Sequence, residues 1–235
     1  MKVLAVPVCF NEEKKIGRVL DRFQPGLVDE VVVVNDASTD GSLEEIRKRG
    51  VRVVSHDRRQ GVGAAIRTGI RLAQKEAFDI LVILAGNDKD RPAEIPLLTK
   101  PIIEDGFDFV QGSRYLEGGK TGGMPAYRKL ATRLHPWLFS LAAGMKITDS
   151  TNGFRAMRVS MFNDARIQID QEWLNAYELE PYIFFKAIKL GYKVGEVPAT
   201  KIYPPKELGY TKMKPITGWW SILRPIFLLG LGLKK

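Results

Sequence analysis

Short apolar runs alternate with amphipathic stretches through the first half of the chain. The run Ile80-Leu81-Val82-Ile83-Leu84 is apolar at every position, as a strand covered on both faces should be. Residues 3–8, 30–34, 52–54 and 107–111 carry further strand signals. Between these lie helix signals at 12–23, 42–49, 63–75 and 92–103, the last with Pro92 in its first turn and Glu94 following. Strands separated by helices imply right-handed crossovers and a mostly parallel sheet, hence an α/β fold. Ligands of such sheets bind beyond the carboxyl ends of the strands, so the residues just after each strand are the informative ones.

Those residues are polar. The strand signals lead into Cys9-Phe10-Asn11-Glu12-Glu13, into NDASTDGS at 35–42, into SHDRRQGVGAAIRTG at 55–69, and into GNDKD at 86–90. Polar side chains converging from four strands describe a pocket that could take a nucleotide. Singly, each is ambiguous. Asp40 suits an N-cap for the helix from Ser42, and Gly61 and Gly63 suit either a tight turn or a close backbone approach to a ligand. Asp88 and Asp90, crowded onto a strand-to-helix turn, could hold a metal, cap the helix or face water.

A chain of 235 residues with 45% hydrophobic content can bury a sizeable core as one large domain. The first residues run directly into a strand signal and lack the long apolar stretch of a secretory signal. Cys9 is the single cysteine, which excludes an intrachain disulfide or a Cys-based zinc site and points to a reducing, cytoplasmic compartment. His56 and His135 are the only histidines and form no metal motif.

The net charge of +9 calls for an anionic partner: a nucleic acid, a phosphorylated substrate or an anionic membrane face. Its distribution fits a membrane surface at least as well as a nucleic acid, with a solvated basic face as the plainer alternative. Between Arg114 and Arg133 stand Lys120, Arg128 and Lys129 against Glu117 alone, and apolar Trp137-Leu138-Phe139-Ser140-Leu141 follows. The stretch from Pro215 is apolar too, but Arg224 and Pro225 interrupt it, and a spanning helix needs about 20 largely apolar residues. Trp219-Trp220 and Lys234-Lys235 suit a segment lying in the membrane interface, with a core helix or a subunit contact as the alternatives.

FNEE at 10–13, VVVVNDASTDGS at 31–42, GVGAAIRTG at 61–69 and VQGSRYLEGG at 110–119 follow the order of motifs in family 2 glycosyltransferases. TDSTNGFRAMR at 148–158 resembles the TD-x-x-x-GFR block of the polyprenyl-phosphate branch, the dolichyl-phosphate mannose synthase group. The resemblance spans nearly the whole chain. It implies a GT-A fold over 1–214, a nucleotide-sugar half (1–115) merged with an acceptor half (116–214), followed by the interface segment 215–235.

The implied activity is inverting transfer of a hexose from GDP-mannose or UDP-glucose to a polyprenyl or dolichyl phosphate at the cytoplasmic membrane face. That leaves no role for nucleic acid. The chain either binds the bilayer peripherally or relies on a membrane protein partner.

By the same resemblance Asn11, Glu12, Asp36 and Gly61 contact the donor. Arg114 is a candidate for stabilising the leaving diphosphate, as is Arg58 or Arg59. GYTKMK resembles the family's loop over the donor phosphates, which makes Lys212 a candidate phosphate contact, while Lys214 could serve instead at the membrane surface. Arg155 reads the acceptor phosphate, Asp149 orients Arg155 or assists the acceptor, and Glu178 and Glu180 lie near the acceptor side.

The metal motif Asp-x-Asp reads Gly86-Asn87-Asp88 when Pro92-Ala93-Glu94 is matched to the usual Pro-Pro-Glu. Its first carboxylate is missing, and Asp90 adds one downstream. Asp88, aided by Asp90, is then expected to hold Mg²⁺ or Mn²⁺ with the donor diphosphate. Two rivals remain open: a soluble family 2 enzyme acting on a sugar or protein hydroxyl, and a non-catalytic nucleotide-sugar-binding subunit.

Overall fold

The computed structural model describes residues 1–209 and 217–234. The first half alternates as expected: β1 (Val3–Cys9), α1 (Glu13–Leu20), β2 (Glu30–Asn35), α2 (Ser42–Arg47), β3 (Arg52–Ser55), α3 (Val62–Lys75), β4 (Ile80–Ala85), α4 (Ile95–Glu104) and β5 (Phe109–Ser113). The second half adds β6 (Lys120–Gly122), α5 (Ala126–Ala143), β7 (Arg155–Arg158), α6 (Leu179–Lys189), β8 (Val194–Pro198), β9 (Thr200–Ile202) and α7 (Thr217–Gly230).

The main sheet has the order β3-β2-β1-β4-β7-β5-β8. Its pairings are parallel except at β7, which lies antiparallel between β4 and β5. A small parallel pair, β6 with β9, stands beside it.

Alternation along the central strands feeds two cores. In β4, Leu81 and Ile83 face the cluster shared with Ile66 and Ile70 of α3, Phe139 of α5 and Phe184 of α6. Ile80, Val82 and Leu84 face the opposite cluster with Ile95, Leu98 and Ile102 of α4. Both faces of the strand are therefore covered, which is why its sequence is apolar without a break.

The apolar segment from residue 217 is a helix with two faces. Ile222, Ile226 and Leu229 are buried, and Ile226 and Leu229 join the same core as Phe139 and Phe184. Two polar ties reinforce the docking. His135 Nε2 lies 3.2 Å from the Ile222 carbonyl, and Arg224 Nη2 donates to Glu178 Oε1 at 2.7 Å and to the Trp173 carbonyl at 2.9 Å. The inner face of α7 thus belongs to the core, while Trp220 and Phe227 remain exposed and stack on each other. No helix among the described residues is long and apolar enough to cross a membrane.

Candidate functional site

A cavity of about 490 Å³ opens at the carboxyl ends of β1, β2 and β4. The expected nucleotide half supplies one wall: Asn11, Glu12, Asp36, Asp40, Arg59 and Gly61. The opposite wall carries Arg114, Arg128, Glu180 and Lys201, and Trp219 and Ile222 of α7 close the rim.

Asp36, just past β2, is the organiser of the first wall. Its carboxylate accepts the backbone N–H groups of Gln60 and Gly61, each at 2.8 Å, and contacts His56 Nδ1 at 2.8 Å. His56 is thereby part of the site's support, although its sequence position gave no sign of this. Asn11 Oδ1 accepts the Thr39 N–H at 2.7 Å, tying the first two strand-end loops together. The Glu12 carboxylate meets Lys15 Nζ at 2.5 Å. Asp40 accepts the N–H groups of Ser42 (3.0 Å) and Glu13 (3.1 Å), the first residues of α2 and α1, although the N-cap residues are Gly41 and Glu12.

The glycines after β3 answer a packing need. A Cβ on Gly61 would lie 2.3 Å from the Asn175 carbonyl oxygen, and one on Gly63 would lie 2.0 Å from that of Leu174. Gly61 also has φ +108°, a region that side chains disfavour. Gly61 does line the cavity, but its missing side chain also makes room for segment 174–176.

Arg114 and Asp149 form a buried bidentate pair. Nε meets Oδ2 at 2.6 Å and Nη2 meets Oδ1 at 2.7 Å. Burial pushes the Asp149 carboxyl up, but the charge and hydrogen bonds of Arg114 outweigh it and hold the group below its ordinary value. The expectation that Asp149 orients Arg155 is therefore corrected: its partner is Arg114.

Arg155 needs a correction as well. It sits in β7, mid-sheet, where its guanidinium donates to the Asn152 carbonyl at 2.5 Å and the Glu180 carbonyl at 3.1 Å, and pairs with Glu180 Oε1 at 3.1 Å. It is 2% exposed and lies outside the cavity wall, behind Glu180. The insertion of β7 between β4 and β5 is what buries it.

The turn after β4 departs furthest from expectation. Asp88 has φ +62° and points its carboxylate at Arg22 and Arg18 of the α1 region. Asp90 is buried, pairs with Lys201 Nζ at 2.5 Å and accepts the Ala85 N–H at 3.2 Å. Neither lines the cavity; Asn87 and Lys89 do. The Asn87 Oδ1 is buried without a hydrogen-bond partner.

Lys89 is 5% exposed, with Nζ 4.3 Å from the Tyr203 ring centroid. Burial first, then the neighbouring charges of Lys201, Arg128 and Lys15, push its ammonium down to about 7. Lys212 and Lys214 lie outside the described residues.

Sequence reasoning passed over Lys15, Lys89 and Lys201. The one available signal was a lysine standing between the two aspartates of GNDKD, read only for its carboxylates.

The chain belongs to glycosyl transferase family 2, whose model matches residues 5–166. Undecaprenyl-phosphate mannosyltransferase of Micrococcus luteus is 30% identical, over 91% of this chain and 88% of its own length. The UDP-N-acetylglucosamine–dolichyl-phosphate N-acetylglucosaminyltransferase of Methanococcus voltae is 31% identical, over 85% of each chain. Glucosyl-3-phosphoglycerate synthase of Mycobacterium tuberculosis, solved with Mn²⁺, UDP and glucosyl-3-phosphoglycerate, covers 100% of this chain and 81% of its own with a TM-score of 0.69. At 21% identity that likeness establishes the GT-A fold.

The synthase has also been solved with Mg²⁺ and UDP. The donor set here does not fit such an ion. Among the described residues no three His, Cys, Asp or Glu side chains gather as ligands. Asp88 is held by Arg22 away from the cavity and Asp90 by Lys201, itself a lining residue, and Asn87 offers one neutral amide oxygen where Mg²⁺ ordinarily takes at least one carboxylate.

Proposed function

We propose that this chain is an inverting hexosyltransferase that moves a hexose from a nucleoside-diphosphate sugar to a polyprenyl or dolichyl phosphate at a membrane surface. The observation that carries the reading is one continuous cavity, acidic and amide-rich on the donor wall and basic on the other, opening beside an exposed apolar ridge. The two relatives named above act, by their names, on undecaprenyl phosphate and dolichyl phosphate.

In this reading Asn11, Glu12 and Asp36 recognise base and ribose, and Asn87 Oδ1 accepts a hydroxyl of the sugar. A phosphate monoester is already ionised near neutral pH, its second pKa being about 6, so it needs positioning more than a general base. An acceptor phosphate oxygen attacks the anomeric carbon as the bond to the β-phosphate oxygen breaks. The nucleoside diphosphate leaves with the electron pair, and one displacement inverts the centre. Arg114, fixed by Asp149, faces the negative charge that develops there. Arg128 and Lys201 take the place that the family resemblance gave to Arg155.

The ridge lies on α5. Tyr127, Leu130, Leu134, Trp137 and Leu141 recur at three- and four-residue spacing and are all more than half exposed. Trp220 and Phe227 of α7 extend the exposed apolar surface, and exposed Lys129 and Arg133 stand on the α5 side. Apolar side chains with flanking cations suit an anionic bilayer interface, with the acceptor's isoprenoid tail in the membrane and its phosphate reaching past Trp219.

Purified protein given a panel of nucleotide sugars should transfer hexose to polyprenyl phosphate and leave polyprenol unmodified. Transfer to a detergent-independent sugar or protein hydroxyl instead would favour the rival family 2 activity. Donor binding with neither transfer nor hydrolysis would make the chain a binding subunit.

A further inference from the structure

We propose that this enzyme stabilises its departing nucleoside diphosphate with side-chain cations in place of a divalent metal ion, Lys89 taking the β-phosphate. The inference rests on the reading of the cavity as the nucleotide-sugar site, and deepens it.

Three observations converge. The turn that carries the family's metal motif presents Asn87 and Lys89 to the cavity and turns Asp88 and Asp90 away. Lys89 is not alone: Lys15, Arg128 and Lys201 line the same cavity. Tyr203 holds two of these charges by its ring, with Lys89 Nζ at 4.3 Å and the Arg128 guanidinium at 5.7 Å from its centroid.

Lys201 is fixed as firmly by polar contacts. Its Nζ meets Asp90 Oδ1 at 2.5 Å and Asn152 Oδ1 at 2.9 Å. Asp90, the carboxylate just downstream of the metal motif, thus serves a lysine. Lys15 and Lys201 each keep a carboxylate partner, Glu12 and Asp90, at 2.5 Å, and a diphosphate seated beside Lys89 would meet these side-chain cations in a low-dielectric cavity, where such contacts are strong.

The chemistry balances without an ion. As the anomeric carbon–oxygen bond breaks, its electron pair moves onto the β-phosphate oxygen, and a lysine that keeps its proton neutralises the charge where it appears. Asp88 remains a structural anchor for Arg22, outside the reaction.

The test uses the full chain, stripped of metal, and isothermal titration with UDP, GDP, UMP and GMP in EDTA and then in excess Mg²⁺ or Mn²⁺. The diphosphate that binds should do so with a Kd that changes less than about threefold between conditions. Lys89→Met should weaken diphosphate binding by about 10- to 100-fold, the loss of one charge-assisted phosphate contact, and leave the matching monophosphate within about threefold. Lys89→Arg should recover part of the loss, and circular dichroism monitors folding of both variants.

Loss of diphosphate binding by more than about tenfold in EDTA, restored by Mn²⁺, overturns the inference. So does an equal loss of monophosphate and diphosphate in Lys89→Met, or binding of no nucleotide at all. Metal-free diphosphate binding by a protein that transfers nothing to polyprenyl phosphate would sink the proposed activity and leave this inference standing.

Discussion

Replacing Asp149 with asparagine keeps the shape of the side chain and removes its charge from beneath Arg114. The two side chains are 0% and 2% exposed, and they share two short contacts while the Arg114 N–H adds a third at 3.1 Å. Asp149→Asn leaves a buried guanidinium facing Thr151 Oγ1, the Tyr115 ring and a neutral amide instead of a carboxylate. Removing one partner of a buried pair costs about 3–5 kcal/mol, a large share of the roughly 5–15 kcal/mol that holds a domain together. Urea unfolding at pH 7 should show that loss as a lowered midpoint at unchanged slope.

The pH dependence has a definite sign. Asp149 titrates below its ordinary value in the folded chain, so its contribution is full above the usual carboxylate range and is lost as pH falls through the depressed value. Removing both charges with Arg114→Met and Asp149→Leu together should recover much of the stability, while diphosphate binding stays impaired because Arg114 lines the cavity. A midpoint for Asp149→Asn within about 1 kcal/mol of the parent would refute the pairing as a structural element.

His135 accounts for a second pH effect: burial, resisted by the Ile222 carbonyl, pushes its ring from 6.5 down to about 4. The unfolded chain binds that proton first, so stability should fall as pH drops from about 6.5 to 4, by about 3 kcal/mol in all; an NMR titration of the ring near 6.5 would contradict this. Gly63→Ala should cost more than about 2 kcal/mol because its Cβ would meet a backbone oxygen at 2.0 Å, and an unchanged Tm would show that segment 174–176 yields freely. Leu134→Glu with Trp137→Glu should reduce sedimentation with anionic liposomes by about tenfold or more and slow transfer to long polyprenyl phosphates, sparing a short water-soluble analogue. Undiminished sedimentation would move the membrane contact off α5.

The strand-and-helix alternation was legible because each central strand is apolar throughout and each helix carries its stripe, and the elements fall within a few residues of the expected ranges. What escaped was the antiparallel insertion of β7: RAMR carries two arginines in four residues and reads as loop. That one insertion buries Arg155, while Arg128 and Lys201 line the cavity. Asn11, Glu12, Asp36 and Gly61, expected to contact the donor, do meet at one cavity, since motifs at strand ends are brought together by any parallel sheet.

Which carboxylates of GNDKD face inward could not be read from order alone. The positive φ of Asp88 turns its side chain toward Arg22, and neighbours far along the chain decide that geometry. Lys201, which claims Asp90, lies 111 residues away.

The most direct measurement is mass spectrometry of the lipid phase after incubating the purified chain with its cognate nucleotide sugar and polyprenyl phosphate, followed by NMR of the product's anomeric centre. Expected is a polyprenyl phosphohexose carrying one hexose, released together with one nucleoside diphosphate and inverted at the anomeric carbon. A lipid phase left unmodified while the donor is bound and consumed, or a product with retained configuration, would contradict direct displacement by a lipid phosphate.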